Sequence, residues 1–123
     1  MVASTELKEL DIGVLCLNAG ISLLGPVDLI PDHKYETVWN VTGLHNVYLL
    51  KALVQKLLDR DKRVAVLFTS SMASETLMSG MSNYSATKAM ISNYGESVHY
   101  ELNSNIDVTV WEPGYVYSNI HIK

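Results

Sequence analysis

Three side chains in the middle of the chain could carry proton chemistry: Ser71, Tyr84 and Lys88. Tyr84 and Lys88 stand four apart. On a helix that spacing puts both on one face, so a phenol and an ammonium can share one site. A free tyrosine titrates at about pH 10, too high for efficient proton transfer at neutral pH. A neighbouring lysine cation favours the phenolate and is expected to lower the Tyr84 pKa. The pair is weak by itself: with seven tyrosines, a Tyr-x-x-x-Lys arises by chance about 0.4 times in a chain of this composition. Ser71 adds weight because it closes an apolar run, Arg63–Thr69, thirteen residues before Tyr84.

That run is short and partly β-branched, and it reads as a buried parallel strand. Ligands of open α/β sheets bind outside the carboxyl ends of such strands. Two further strands are expected, at 12–17, ending at Asn18-Ala19-Gly20, and at 106–111, ending at Glu112-Pro113-Gly114. Between strands, apolar residues recur at helical spacing over 33–58 and 83–102. Asp32 is the expected N-cap of the first helix, and residues 21–32, with Gly25, Pro26 and Pro31, read as a loop. Strands alternating with long helices specify a parallel sheet with right-handed crossovers.

The order of these motifs resembles the short-chain dehydrogenase/reductase family over nearly the whole chain. It runs from Asn18-Ala19-Gly20 through Asn40-Val41-Thr42-Gly43, Ser71 and Tyr84-x-x-x-Lys88 to Pro113-Gly114-Tyr115-Val116-Tyr117-Ser118. The resemblance implies an α/β fold, a partial Rossmann-type doubly wound parallel sheet. Three strands and two long crossover helices are present, and the first βαβαβ half is lacking. Residues 1–123 would be one partial domain, the middle and catalytic portion of a reductase. It implies a site in which Tyr84 exchanges a proton with a carbonyl or alcohol oxygen and Ser71 hydrogen-bonds that oxygen. Lys88 would tune Tyr84, and Asn40 would hold a relay water. For a bare mid-helix Asn, a solvent-facing position is the simpler reading.

By the same resemblance, Asn18, Ala19 and Gly20 would lie beside the adenosine of a nicotinamide cofactor. Tyr84 and Lys88 would contact its ribose, and Pro113, Gly114, Val116 and Ser118 its carboxamide. Leu17 stands where the family usually has Asn, and Ser118 where it has Thr. Tyr84-Ser85-Ala86-Thr87-Lys88-Ala89 and the Tyr100-Glu101-Leu102 helix end are most similar to hydroxysteroid dehydrogenases and very-long-chain β-ketoacyl-CoA reductases. That implies NADP(H) rather than NAD(H), an apolar keto or hydroxy substrate of lipid metabolism (steroid or fatty acyl), and an intracellular place in the cytoplasm or on the cytoplasmic face of the endoplasmic reticulum. It also implies a homo-oligomer built through the two long helices. Met72, Met78 and Met81 suit an adaptable apolar pocket, or simply core filling.

None of the seven glycines forms the Gly-rich pyrophosphate cradle of dinucleotide folds. The chain is therefore expected to lack roughly 60 to 80 residues of two βαβ units, and to stop before the family's last strand. This leaves a second expectation of another class: a catalytically incompetent fragment or dimerisation module.

Composition narrows the remaining classes. With 123 residues, 48% hydrophobic and 18% charged, the chain suits one modest globular core. A net charge of −4 without a basic cluster beyond Arg60–Arg63 argues against nucleic acid. Cys16 is the only cysteine, which suits a reducing compartment. His33, His45, His99 and His121 lack metal-ligand spacing, and no stretch reaches eighteen apolar residues. The two glycosylation sequons, at Asn40 and Asn83, fall inside the expected site and read as chance.

Overall fold

The computed structural model describes Leu7 and residues 9–102 and 105–117. Three strands, β1 (Val14–Leu17), β2 (Val64–Thr69) and β3 (Ile106–Trp111), form one sheet in the order β1-β2-β3. Both pairings are parallel, with Val14 opposite Ala65 and Leu17 opposite Phe68, then Val64 opposite Ile106 and Thr69 opposite Trp111. β1 is two residues shorter than expected, although Gly13 O still accepts from Ala65 N at 3.0 Å.

Alternate side chains of every strand enter one core: Leu15 and Leu17 of β1, Val64, Val66 and Phe68 of β2, Ile106 and Val108 of β3. Leu50, Leu53 and Leu57 of one helix and Ile91 and Val98 of another cover that face. Because the strand order advances in one direction, both crossovers lie on the same side of the sheet. The opposite face, with Val14, Cys16 and Trp111 exposed, is bare of helices among the described residues.

The segment expected as one helix over 33–58 has three parts. These are α1 (Asp32–Val38), a π-helical turn (Trp39–Leu44) and α2 (His45–Leu58). Pro31, not Asp32, is the capping residue, and its carbonyl accepts from Lys34 N at 2.9 Å. Periodicity cannot show the π turn, because tertiary bonds widen it. Thr42 Oγ1 accepts from Ile21 N at 3.0 Å and donates to Ile21 O at 2.8 Å, drawing this turn to the loop after β1. The buried Asn46 Nδ2 donates to Thr42 O at 2.9 Å and Gly43 O at 3.2 Å, satisfying carbonyls that the wider turn frees.

The helix after β2, α3 (Ser82–Glu101), follows the expected bounds closely. It sits close on the sheet because Gly95 has no side chain: a Cβ there would come within 2.5 Å of Val110 Cγ2 and 3.0 Å of the Phe68 ring. Phe68 in turn packs edge-on against Tyr94, with ring centroids 5.8 Å apart.

Candidate active site

All the candidate segments emerge at the carboxyl ends of the strands. Asn18–Gly20 follow β1, Ser70 and Ser71 follow β2, and Glu112–Gly114 follow β3. Ladder-like bonds extend beyond the strands, with Ser70 N donating to Trp111 O at 2.8 Å and Met72 N to Pro113 O at 3.0 Å. The segment carrying Ser71 therefore runs beside the Pro113-Gly114 turn. It then closes into a 3-10 turn, Met72–Ser74, which Ser71 caps by accepting from Ala73 N at 3.1 Å.

α3 delivers Tyr84 and Lys88 to this edge. The Tyr84 hydroxyl lies close enough to Ser71 for the serine hydroxyl to act on its ionisation, so the structure brings together the two side chains that the sequence separates by thirteen residues. Lys88 is only 3% exposed. Its Nζ donates to Thr69 O at 2.7 Å and lies 5.6 Å from the Tyr84 ring centroid. Gly20 borders the ammonium: a Cβ on it would lie 3.6 Å from Lys88 Nζ and 3.6 Å from Thr42 Cγ2.

The electrostatics differ from the sequence expectation. Burial pushes the Tyr84 phenol above its ordinary value, and the neighbouring Ser71 hydroxyl only opposes this. Lys88 does not lower it: its ammonium points one N–H at the Thr69 carbonyl and stands beside the ring. The lysine itself is the more perturbed group. Burial lowers it from 10.5 to about 8.

Asn40 lies in the π turn, where its backbone carbonyl accepts from His45 N. Its side chain is exposed, and no hydrogen bond joins it to Lys88 or Tyr84. Asn18 and Ala19 are exposed, as are Gly114 and Val116, while Gly20 and Pro113 are partly buried. Ser118 lies outside the described residues.

Sequence reasoning missed a polar cluster directly behind the site. Ser70 Oγ donates to Lys88 O at 2.9 Å and lies 2.7 Å from Ser92 Oγ. Ser92 Oγ in turn donates to Glu112 Oε1, which also accepts from Ser74 Oγ at 3.0 Å. No local pattern announces such contacts, although a second serine beside Ser71 and an acidic residue before Pro113 were visible.

The comparisons with known proteins give the family and the fold. The family model for the short chain dehydrogenase matches residues 1–123, and the chain belongs to that family. It is 31% identical over 121 residues to 1-deoxy-11-beta-hydroxypentalenate dehydrogenase of Streptomyces exfoliatus, covering 94% of this chain and 43% of the relative. Two solved structures share the fold. A gluconate 5-dehydrogenase from Burkholderia cenocepacia, in complex with NADP and tartrate, superimposes with a TM-score of 0.85 at 20% identity, covering 94% of this chain and 45% of that one. A short-chain dehydrogenase/reductase from Burkholderia phymatum, in complex with NAD, gives 0.83 at 18% identity, covering 87% and 39%. The chain spans less than half the length of the curated relatives it matches. Among the described residues no helix is long and apolar enough to cross a membrane.

Proposed function

We propose that this chain carries the proton-transfer half of an NAD(P)-dependent oxidoreductase that interconverts a ketone and a secondary alcohol. The observation behind this reading is the Tyr84 hydroxyl next to Ser71, with the buried Lys88 ammonium by the Tyr84 ring, at the carboxyl edge of a parallel sheet. A substrate carbonyl oxygen would accept hydrogen bonds from Ser71 and Tyr84. Burial keeps the phenol protonated at neutral pH, so Tyr84 is a proton donor in the reductive direction. Ser71 stabilises the charge growing on the oxygen, and Lys88, beside the Tyr84 ring, is assigned to the cofactor ribose. Asn40, exposed at the π turn, is assigned the relay water by family resemblance.

The residues fit a nicotinamide cofactor. Lys88 Nζ has one carbonyl partner and faces no carboxylate among the described residues, which leaves N–H groups for ribose hydroxyls. Gly20 keeps the space beside it open. Asn18, Ala19 and Gly20 would flank the adenosine side, and Pro113, Gly114, Val116 and Ser118 the nicotinamide. When bound, the cofactor supplies the hydride to the carbonyl carbon. The similarity of the Tyr84–Ala89 stretch to hydroxysteroid and β-ketoacyl reductases favours NADP(H) over NAD(H) and an apolar substrate. Exposed apolar side chains around the site (Met72, Leu77, Met78, Tyr115 and Val116) favour the same class. The outer faces of α2 and α3 are the surfaces assigned to self-association.

The test joins residues 1–123 to the cofactor-cradling half of a family member and measures NADPH and NADH oxidation with ketones. Turnover with steroid or β-ketoacyl substrates, faster with NADPH, is expected. No turnover with any ketone, despite measurable cofactor binding, would contradict the reading.

A further inference from the structure

We propose that Glu112 is a positioning residue that fixes Lys88 and the Ser71 turn in one arrangement by accepting two serine hydroxyls on a single oxygen. The inference rests on the proposed function only in assigning the site to proton transfer; the geometry stands without it.

The connections run as two arms from Glu112 Oε1. One arm goes to the turn that Ser71 opens, through Ser74 Oγ at 3.0 Å. The other goes to α3 through Ser92, one helical turn beyond Lys88. Proton counting makes the second arm directional. A hydroxyl has one proton, so Ser92 donating to Glu112 cannot also donate to Ser70 or to Lys88 O. Ser70 must then share its one proton between Ser92 Oγ at 2.7 Å and Lys88 O at 2.9 Å, as a three-centre hydrogen bond. Glu112, as an acceptor, orients both hydroxyls toward itself.

Lys88 is thereby tied to the end of β2 at both of its polar ends. Nζ reaches Thr69 O, and its backbone carbonyl reaches Ser70 Oγ. Pro113 follows Glu112 and holds Met72 N, so the acceptor itself sits on a braced segment. Ser85 Oγ adds an independent tie from α3 to the same turn, at 2.5 Å from Ala73 O. Loss of Glu112 should therefore loosen the site locally and leave α3 docked. Water would then reach Lys88, and its titration would move back toward that of an exposed lysine.

The test labels the 123-residue chain with an acetylating reagent across pH and reads each lysine by mass spectrometry. It needs neither cofactor nor substrate and tolerates self-association. Lys51, exposed on α2, is the internal reference. The unmodified chain should acetylate Lys88 at least tenfold more slowly than Lys51 at high pH, with a midpoint of about 8. Glu112→Ala, Ser92→Ala and Ser74→Ala should each raise the Lys88 rate severalfold, and the first two should move its midpoint upward. Glu112→Gln, whose amide oxygen can still accept both hydroxyls, should restore the original profile. Gly95→Ala strains the same helix without touching the cluster and should leave the midpoint in place. If Glu112→Ala does not fold, the two serine variants decide alone. An unchanged Lys88 profile in both serine variants overturns the proposal, and so does a Glu112→Gln profile matching that of Glu112→Ala. The functional reading fails separately, by retained carbonyl reduction in Tyr84→Phe.

Discussion

A buried ammonium that faces no carboxylate among the described residues should weaken the fold at neutral pH, and replacing Lys88 tests how far. Burial lowers Lys88 from 10.5 in the unfolded chain to about 8 in the fold. A difference of about 2.5 units corresponds to roughly 3 kcal/mol of disfavoured charge. The sign follows from proton counting. Below pH 8 both states carry the proton, and the folded state bears the whole penalty. Between 8 and 10.5 the folded state releases the proton while the unfolded state keeps it, so the stability of the fold rises with pH. Above 10.5 both are neutral and the penalty is gone. Lys88→Met keeps the apolar stem and removes the titration. It gains the roughly 3 kcal/mol at pH 7, less about 1–3 kcal/mol for leaving the Thr69 carbonyl without its donor. The decisive quantity is therefore the pH dependence of the gap. In urea unfolding at dilute protein, the unmodified chain should gain about 3 kcal/mol on Lys88→Met between pH 7 and 10.5. Tyr84 and Tyr94, both raised by burial, titrate in both proteins and largely cancel. A gap that stays constant over this range would refute the reasoning.

Two further outcomes follow from packing and from the bare face of the sheet. Gly95→Ala should destabilise the chain by about 1–3 kcal/mol, since its Cβ meets Val110 and the Phe68 ring; an unchanged urea midpoint would refute the close approach of α3. The 123-residue chain alone should self-associate and bind NADPH only weakly, in the millimolar range or about −4 kcal/mol. The first expectation rests on β1, whose outer edge is unpaired among the described residues, with Val14 63% exposed. Sedimentation showing a clean monomer, with micromolar NADPH affinity by calorimetry, would contradict both.

The strands and helices were legible because each signal is local. Val64–Thr69 is a short apolar run, Leu50, Leu53 and Leu57 keep a helical period, and Pro31 and Gly114 mark ends. That Ser71 and Tyr84 could share a site was legible only through the order of motifs; in the structure the two side chains lie near each other. The π turn at Trp39–Leu44 was not, since it depends on Thr42 reaching a loop twenty-one residues away. Nor was the direction of the Tyr84 shift. Spacing says that an ammonium is near a phenol, not that Thr69 O will accept its hydrogen bond or that burial will dominate. Glu112 was hidden for the same reason: its partners lie 38 and 20 residues earlier in the chain.

The central claim is that Tyr84 transfers the proton in carbonyl reduction, and one substitution tests it most directly. In residues 1–123 joined to a cofactor-cradling half, Tyr84→Phe removes one hydroxyl while keeping the ring beside Lys88. Steady-state NADPH oxidation with a ketone substrate should fall by about 10²–10⁴-fold, the usual worth of a positioned general acid. Cofactor affinity should change little. Near-normal turnover by Tyr84→Phe would contradict the account.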